Sequence, residues 1–520
     1  MRYDVIVVGG GSAGCALATR LSEDANRSVL LLEAGPDFTD FEQWPAELRD
    51  GSRQDASAPG APFNWSYQAV ATERRPTPMQ IARGRVIGGS GSVNGQVFLR
   101  GLPEDYDAWA AQGNDLWAFE GVLPYFRQLE SDADVRDDFH GGDGPVPVVR
   151  ASREAWHPYQ ESFVQACTGL GFPEDADMNH PASGGVGAAP MNNPAGIRMN
   201  CALAYLTAAR HRLNLTIRGS VTVRRVLFED GSTGAPRAIG VEAESANETF
   251  RVFGDEIVIC CSGIASPHLL MLSGVGPAQH LKEFGIPAVM DLPGVGQNLR
   301  DHPLVYVDTA LNPDYVAPNG VFSRIQTMLR YTVPGSAARN DMRVYVNNVA
   351  SGPSPLGSGP GVSDGTLRMT CILQLAESAG ELRLASADPQ DKPLIDYRYL
   401  RSENDRRRLR EAVRLCRRIL AQPAFAPIVG DSVSPSASEF DSDDALDDWL
   451  LRSVFTTYHT SGSCKMGPAN DPMAVVDQHC RVHGVENLRV VDLSICPDVV
   501  RANTNATAVM IGERAAGFFQ

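Results

Sequence analysis

No C-x-x-C pair occurs in this chain of 520 residues, whose ten cysteines stand singly apart from Cys260-Cys261. The absence argues against a zinc site of common spacing and against a dithiol redox centre, and buried free thiols are expected. A pyridine-nucleotide disulfide reductase would need a second G-x-G-x-x-G turn and a C-x-x-x-x-C pair, and neither is present. No apolar run reaches membrane-spanning length. Positive charge is in deficit, with 46 Lys and Arg against 62 Asp and Glu and a net charge of -16. That balance disfavours nucleic acid and anionic membrane as partners. No internal repeat is visible. A motif begins three residues in, which leaves no room for a cleavable signal peptide, so a cytoplasmic protein is expected. The length exceeds one ordinary core and implies two or three domains.

Residues 3–8 read Tyr-Asp-Val-Ile-Val-Val, an apolar run fit for a buried parallel strand. Gly9-Gly10-Gly11-Ser12-Ala13-Gly14 follows as a G-x-G-x-x-G turn, and residues 15–21 continue as a helix. A second apolar run, 28–32, ends on Glu33, 19 positions after Gly14. Gly9 makes the tight turn, Gly11 lets backbone reach a pyrophosphate, and Gly14 lets helix pack on strand. The unpaired N–H groups of the helix N-terminus face the phosphates, and Glu33 is placed to accept from a ribose. Strand, turn, helix, strand and acid together define a dinucleotide cradle, for NAD or FAD alike.

Further along, residues 38–80 carry five prolines and read as a surface excursion. Residues 334–365, rich in Gly, Ser and Pro, read as a long loop. Residues 402–420 show a charged amphipathic helix pattern, read as a solvated face. Two late segments, 256–261 and 487–492, read as strands returning to the first sheet. A first domain discontinuous in sequence follows, with a second inserted between its parts. His479 and His483 are four apart with Cys480 between, but on strands that spacing spans about 13 Å, so no metal is expected.

Three segments carry chemistry. Residues 83–101 hold Gly88, Gly89 and Gly91, whose bare backbone can approach an anion or a flat ring, and Asn94, which both donates and accepts. Residues 263–277 run Gly-Ile-Ala-Ser-Pro-His-Leu-Leu-Met-Leu-Ser-Gly-Val-Gly-Pro, and 291–303 run Asp-Leu-Pro-Gly-Val-Gly-Gln-Asn-Leu-Arg-Asp-His-Pro. They resemble the two signature patterns and the PGVGxNLxDH turn of the glucose-methanol-choline (GMC) family of flavin-dependent alcohol oxidoreductases. The resemblance extends, in family order, to 105–109, 122–126, 386–389, 458–467 and 502–506.

The resemblance implies an α/β plus α+β architecture: a discontinuous Rossmann-like FAD-binding domain (1–155, 197–305 and 455–520) and a substrate-binding domain on an antiparallel sheet (156–196 and 306–454). It implies FAD in contact with Gly9, Gly11, Ser12, Ala13, Gly14, Glu33 and Ala34, then with Arg85, Gly89, Ser90, Asn94, Gly95 and Val97. Val223 is implied at the adenine, and Asp492, Asn505, Ala506 and Thr507 around the flavin. Some members attach FAD through a histidine just before the signature asparagine; Val93 stands there, so non-covalent FAD is expected. His302 belongs to the family turn and is read as structural. Residues 191–200 depart from the family's Gly-Arg-Arg-x-Ser turn and keep only Arg198.

Oxidising an alcohol requires the hydroxyl proton to be drawn away as the C–H bond breaks, and a histidine is the usual base near neutral pH. The resemblance makes His459 that base and Asn503 its partner in orienting the substrate oxygen. Arg501, two residues before Asn503, reads equally as a fork for a substrate oxygen or as an ion-paired scaffold residue. The implied reaction gives an aldehyde or ketone, and oxygen or a soluble electron acceptor reoxidises the flavin. Arg501, Thr457, Asn347 and Asn348 lean towards a sugar or glycoside substrate. A choline-type, simple or aromatic alcohol dehydrogenase and a hydroxynitrile lyase-like flavoprotein are the alternatives.

Overall fold

The computed structural model describes residues 2–231, 234–315, 324–348, 361 and 365–519. Two seven-stranded sheets organise it. The first is built on the strand Arg2–Val8, whose last four residues are fully covered on both faces. This explains their unbroken apolar character, since a parallel strand is sandwiched between layers. Val29–Leu32 pairs parallel on one side of it, with Val8 opposite Leu32, and Leu215–Arg218 pairs beyond. On the other side lies Glu248–Ile259, with Val8 opposite Ile259. That long strand changes partners along its length. Its first half pairs antiparallel with Pro236–Ser245, and its end pairs parallel with Leu488–Val490. The 256–261 and 487–492 segments thus lie in the nucleotide-binding sheet, side by side.

Helix α1 (Ser12–Leu21) leaves the first strand, and α2 (Ser262–Leu272) leaves Glu248–Ile259. Helix α4 (Asn505–Ala516) lies against α1. The two are stitched by Ser12 Oγ donating to Asn505 Oδ1 (2.7 Å) and by Arg20 paired with Glu513 (2.7 and 3.0 Å). Small residues on α1 permit the approach, and both helix N-termini point to the same end of the sheet.

The second sheet is antiparallel, in the order Val429–Ser434, Pro303–Leu311, Thr366–Leu373, Met342–Val346, Thr327–Tyr331, Gly185–Ala188. Phe455–Thr456 adds to Pro303–Leu311. Helix α3 (Glu403–Leu420) packs on this sheet.

Three readings are corrected here. The 334–365 segment is not a loop throughout: Met342–Val346 is a buried strand at the centre of the second sheet, while 349–360 and 362–364 lie outside the described residues. The charged face of α3 is not simply solvated. Asp405 and Arg408 are buried, and Asp405 accepts from the Glu377 and Ser378 N–H groups (2.9 Å each). The 38–80 excursion is not irregular throughout: it holds a helical turn at Ala46–Arg49 and a strand Tyr67–Ala69 paired with Met79–Ile81, and it buries Trp44, Leu48 and Tyr67 rather than only crossing the surface. The ten cysteines are free thiols, nine of them buried. Among the described residues no helix is long and apolar enough to cross a membrane.

Candidate active site

A long cavity runs from the end of the first sheet to the face of the second. At one end its wall is the turn Gly9, Gly11, Ser12 and Ala13, with Glu33 and Ala34 beside it and Val223 opposite. The Glu33 carboxyl accepts from the Gly10 N–H (2.9 Å) and the Gly35 N–H (2.8 Å), and burial pushes it up to about 7. Gly89, Ser90, Asn94, Gly95 and Val97 line the middle. Gly89 is in the left-handed region (φ 56°), and a Cβ there would meet the Gly11 Cα at 2.7 Å. The two glycine-rich segments therefore touch through bare backbone and form one cradle.

These features fit FAD. The N-terminus of α1 would hold its pyrophosphate, and the N-terminus of α4, whose Asn505 is in the wall, would face the flavin. Val93 lines the wall as a side chain without a nucleophilic atom, consistent with non-covalent attachment. Asp492 is in the wall as well. Its carboxylate accepts from the Ser262 N–H and Ser494 N–H (2.8 and 2.7 Å) and the Ser266 hydroxyl (2.5 Å), which ties α2 to the late strand.

Four of the expected contact residues lie off the cavity wall. Arg85 lays its guanidinium over the Trp65 ring. Thr507 is buried with its hydroxyl on Tyr106 (3.0 Å), and Ala506 is buried in the core. Gly14 serves packing, since a Cβ there would lie 2.0 Å from the Gly9 carbonyl oxygen.

His459 and Asn503 meet at the far end. Asp301 assembles this end from beneath, because its Oδ1 accepts from both the His302 and His459 backbone N–H groups (2.8 Å each). Its Oδ2 accepts from Tyr399 (2.6 Å) and the Thr456 hydroxyl. Tyr458, just before His459, is held in the left-handed region (φ 64°), a cost a non-glycine residue bears only when its surroundings impose it.

Hydrogen bonds run in one direction through the site. Arg343, on the central strand of the second sheet, donates through one terminal nitrogen to Asn503 Oδ1 (2.5 Å). Asn503 therefore presents its Nδ2 to His459 Nε2 (3.3 Å). His459 Nδ1 lies 2.8 Å from His302 Nδ1. A guanidinium can only donate, so the pattern assigns each later atom. Asn503 Nδ2 donates, His459 Nε2 keeps its lone pair, and His459 Nδ1–H donates to His302 Nδ1. The Nε2–H of His302 is buried with no acceptor within hydrogen-bond distance, the Val500 and Gln374 backbone groups lying near the ring. Burial, then His302, Arg343 and Arg83, hold the His459 ring well below the usual histidine value, and burial brings His302 down to about 3. Both rings are neutral near pH 7, and His459 presents an unprotonated Nε2 to the cavity.

His302 is thus no remote turn residue but the direct partner of His459. Its signal in the sequence was its place in the turn 291–303 next to Asp301. Arg501 does not reach the cavity. It is buried, donating from its backbone N–H and Nε to Asp105 (2.9 and 2.7 Å) and from a terminal nitrogen to the Arg339 carbonyl (2.6 Å). Of the other polar residues that favoured a sugar, Thr457 is in the wall. Asn347 is buried on Thr370 (3.0 Å) and Asn348 is bonded to Gln160 and Gln326 (2.6 and 3.0 Å), both off the wall. Arg198 grips the Glu47, Leu48 and Asn94 carbonyls as a scaffold clamp. His479 rests against the Phe518 ring and His483 Nε2 on the Gly467 carbonyl (3.0 Å), and among the described residues neither belongs to a ligand cluster.

Residues 3–304 match the N-terminal GMC oxidoreductase family model and residues 376–512 its C-terminal counterpart. The chain is 37% identical to an uncharacterised GMC-type oxidoreductase of Rhodococcus erythropolis, over 99% of this chain and 97% of that one. It is 38% identical to the oxygen-dependent choline dehydrogenase of Vibrio vulnificus, over 99% and 93%. Among solved structures, pyridoxine 4-oxidase from Mesorbium loti superposes with a TM-score of 0.90 at 31% identity, over 99% of both chains. The chain belongs to the GMC oxidoreductases, and it is an FAD-dependent oxidoreductase of CH–OH donors.

Proposed function

We propose that the protein oxidises an alcohol to an aldehyde or ketone, with His459 as the base and Asn503 as the group that holds the substrate oxygen. FAD, when bound, accepts the carbinol hydrogen as hydride at flavin N5. The carrying observation is the one-way chain Arg343, Asn503, His459, His302, which leaves a lone pair on His459 Nε2 at the cavity wall. A substrate hydroxyl entering between Asn503 and His459 would donate its proton to Nε2 and accept from Asn503 Nδ2. As the C–H bond breaks, the proton passes to His459, and the amide N–H, held in place by Arg343, steadies the developing alkoxide. Arg343 and His459 are both buried, and the low dielectric of such surroundings strengthens that bond.

The test is anaerobic mixing of the FAD-loaded enzyme with a panel of alcohols, read as bleaching of the flavin absorbance. Bleaching by any alcohol supports oxidation. A flavin that stays oxidised while a cyanohydrin is cleaved would establish the lyase reading instead. Readmission of air then separates an oxidase, which recolours within seconds, from a dehydrogenase, which needs an added acceptor. With three of the four polar residues that favoured it, Arg501, Asn347 and Asn348, off the cavity wall, a polyhydroxylated sugar loses its main structural support.

A further inference from the structure

Several well-covered arginines in this protein are ion-paired, whereas among the described residues Arg83, Arg198, Arg330, Arg343 and Arg514 have no carboxylate partner. Arg150 sits on Asp132 and Asp177 (2.8 Å each), Arg408 on Asp405 (2.7 Å), Arg501 on Asp105 (2.7 Å), and Arg100 on Glu130. Arg343 and Arg83 both face the cavity without such a partner; Arg83 donates to the Ala82 carbonyl, whereas Arg343 bonds Asn503 at the reaction end. Arg343 is 2% exposed, and among the described residues no carboxylate lies within ion-pair distance of it. Its described hydrogen bond goes to the neutral Asn503 amide, and its Nε–H has no acceptor. Directly opposite on the neighbouring strand stands Arg330, equally buried. Like charges in that position repel. Arg330 is satisfied by the Met178 and Arg501 carbonyls and the Ser183 hydroxyl (2.8, 3.1 and 3.0 Å), none of which neutralises it. Burial pushes both guanidinium groups down to about 10. An unmatched buried charge is costly, and one that faces a cavity with a donor left over can be matched there by an anionic ligand.

We infer that the substrate is a hydroxy-carboxylate, its carboxylate received by Arg343 and its carbinol oxygen by His459 and Asn503. This deepens the reading of the site as an alcohol oxidant and rests on it. The spacing agrees. Guanidinium and base are separated by two hydrogen bonds of 2.5 and 3.3 Å and one amide group. An α-hydroxy acid bridges the same ends with two bonds of about 2.8 Å and one O–C–C–O unit. The reaction balances as the two-electron oxidation already described: the O–H proton goes to His459, the C–H hydrogen leaves as hydride to FAD, and a 2-oxo acid is the product. The same charge disfavours choline, whose quaternary ammonium would face a guanidinium where it needs a carboxylate or an aromatic cage.

The experiment uses the FAD-loaded enzyme and matched pairs: glycolate, lactate and mandelate, each with its neutral amide, and choline. Anaerobic flavin reduction should favour acid over amide by about 10² or more in kcat/KM. In R343M that ratio should fall by about 10², and R343K, which keeps charge without the fork, should recover part of it. Benzoate, which cannot be oxidised, gives a readout independent of turnover. It should perturb the flavin spectrum on binding, and R343M should bind it about 10²-fold more weakly. Equal reduction by acid and amide, preference for choline, or an acid-to-amide ratio unchanged in R343M would overturn the proposal. Should no alcohol or hydroxy acid bleach the flavin, the alcohol-oxidant reading fails. Benzoate then decides the anion site separately: binding that depends on Arg343 supports it, and its absence refutes it.

Discussion

Replacing His302 by leucine removes the acceptor of the His459 Nδ1–H, a bond of 2.8 Å in a region closed to solvent. A buried donor left without a partner costs about 1–3 kcal/mol. The cost falls on the very tautomer that exposes the Nε2 lone pair. The competing tautomer carries its proton on Nε2, facing Asn503 and the substrate, and cannot accept a hydrogen. A shift of that size in the tautomer balance corresponds to about 5- to 150-fold in rate. Anaerobic stopped-flow reduction of the FAD-loaded H302L enzyme should therefore be slowed within that range, with substrate affinity changed much less. The pH profile separates this tautomer effect from a change in ring protonation. In the parent enzyme the active form is the neutral ring, so activity is lost only as pH falls through the folded value. Burial, His302 and nearby arginines hold that value well below 6.5. Flavin reduction should stay level from pH 8 to below pH 6. In H302L the limb should stay low, because burial, the largest of these causes, is kept and His302 is itself neutral above about pH 3. H302N, whose carbonyl oxygen can accept from Nδ1–H, should restore part of the rate. Full flavin content with an unchanged rate in H302L would refute the tautomer argument and leave His302 a packing residue.

Three further outcomes follow from the same geometry. H459A should retain FAD and reduce it at least about 10²-fold more slowly, read by the same stopped-flow assay; undiminished reduction would place the base elsewhere. G14A should lose holoenzyme, measured as flavin absorbance per protein, because its Cβ would be driven to 2.0 Å from the Gly9 carbonyl oxygen and α1 would have to lift off the sheet. D105N should destabilise the protein by about 3–5 kcal/mol in urea titration, since it strips a buried Arg501 of its counter-charge. Its turnover per bound flavin should hold, whereas a selective loss of substrate affinity would return Arg501 to the substrate site.

The nucleotide end of the molecule was legible because its constraints are local. Gly14 and Glu33 each answer to a partner within one strand-turn-helix-strand unit, and the order of residues along the chain states that geometry directly, whereas Gly9 is kept bare by the Cys260 carbonyl of the neighbouring strand. The late strands were legible for a related reason: the 256–261 run must be covered on both faces, and its composition says so. The reaction end is different. His302, Arg343, His459 and Asn503 come from four distant segments, and no spacing in the sequence relates them. His459 and Asn503 were reached through the family resemblance, not through periodicity. Arg501 was ambiguous because an arginine two residues from the site can point either way along an irregular backbone. Its partner, Asp105, lies 396 positions earlier.

Arg343 was hidden by composition. It lies in a stretch whose Gly, Ser and Pro content suggested a loop, yet residues 341–347 read Asp-Met-Arg-Val-Tyr-Val-Asn. Apolar residues at 342, 344 and 346 alternate with polar ones at 341, 343, 345 and 347, which is a strand with one polar face. On most antiparallel sheets that polar face would meet water. Here the strand Met342–Val346 is buried at every position, so its polar face turns inward. A buried face carrying an arginine must meet hydrogen-bonding groups or an anion. Arg343 finds Asn503, Tyr345 joins it in the cavity wall, and Asn347 closes on Thr370. Alternation reveals the strand, but only the neighbours on both sides of the sheet reveal that its polar face belongs to the site. The same burial sets the chemistry. A surface arginine at this position would be neutralised by water and salt, whereas here its charge is available to orient Asn503 and to discriminate among substrates by their charge.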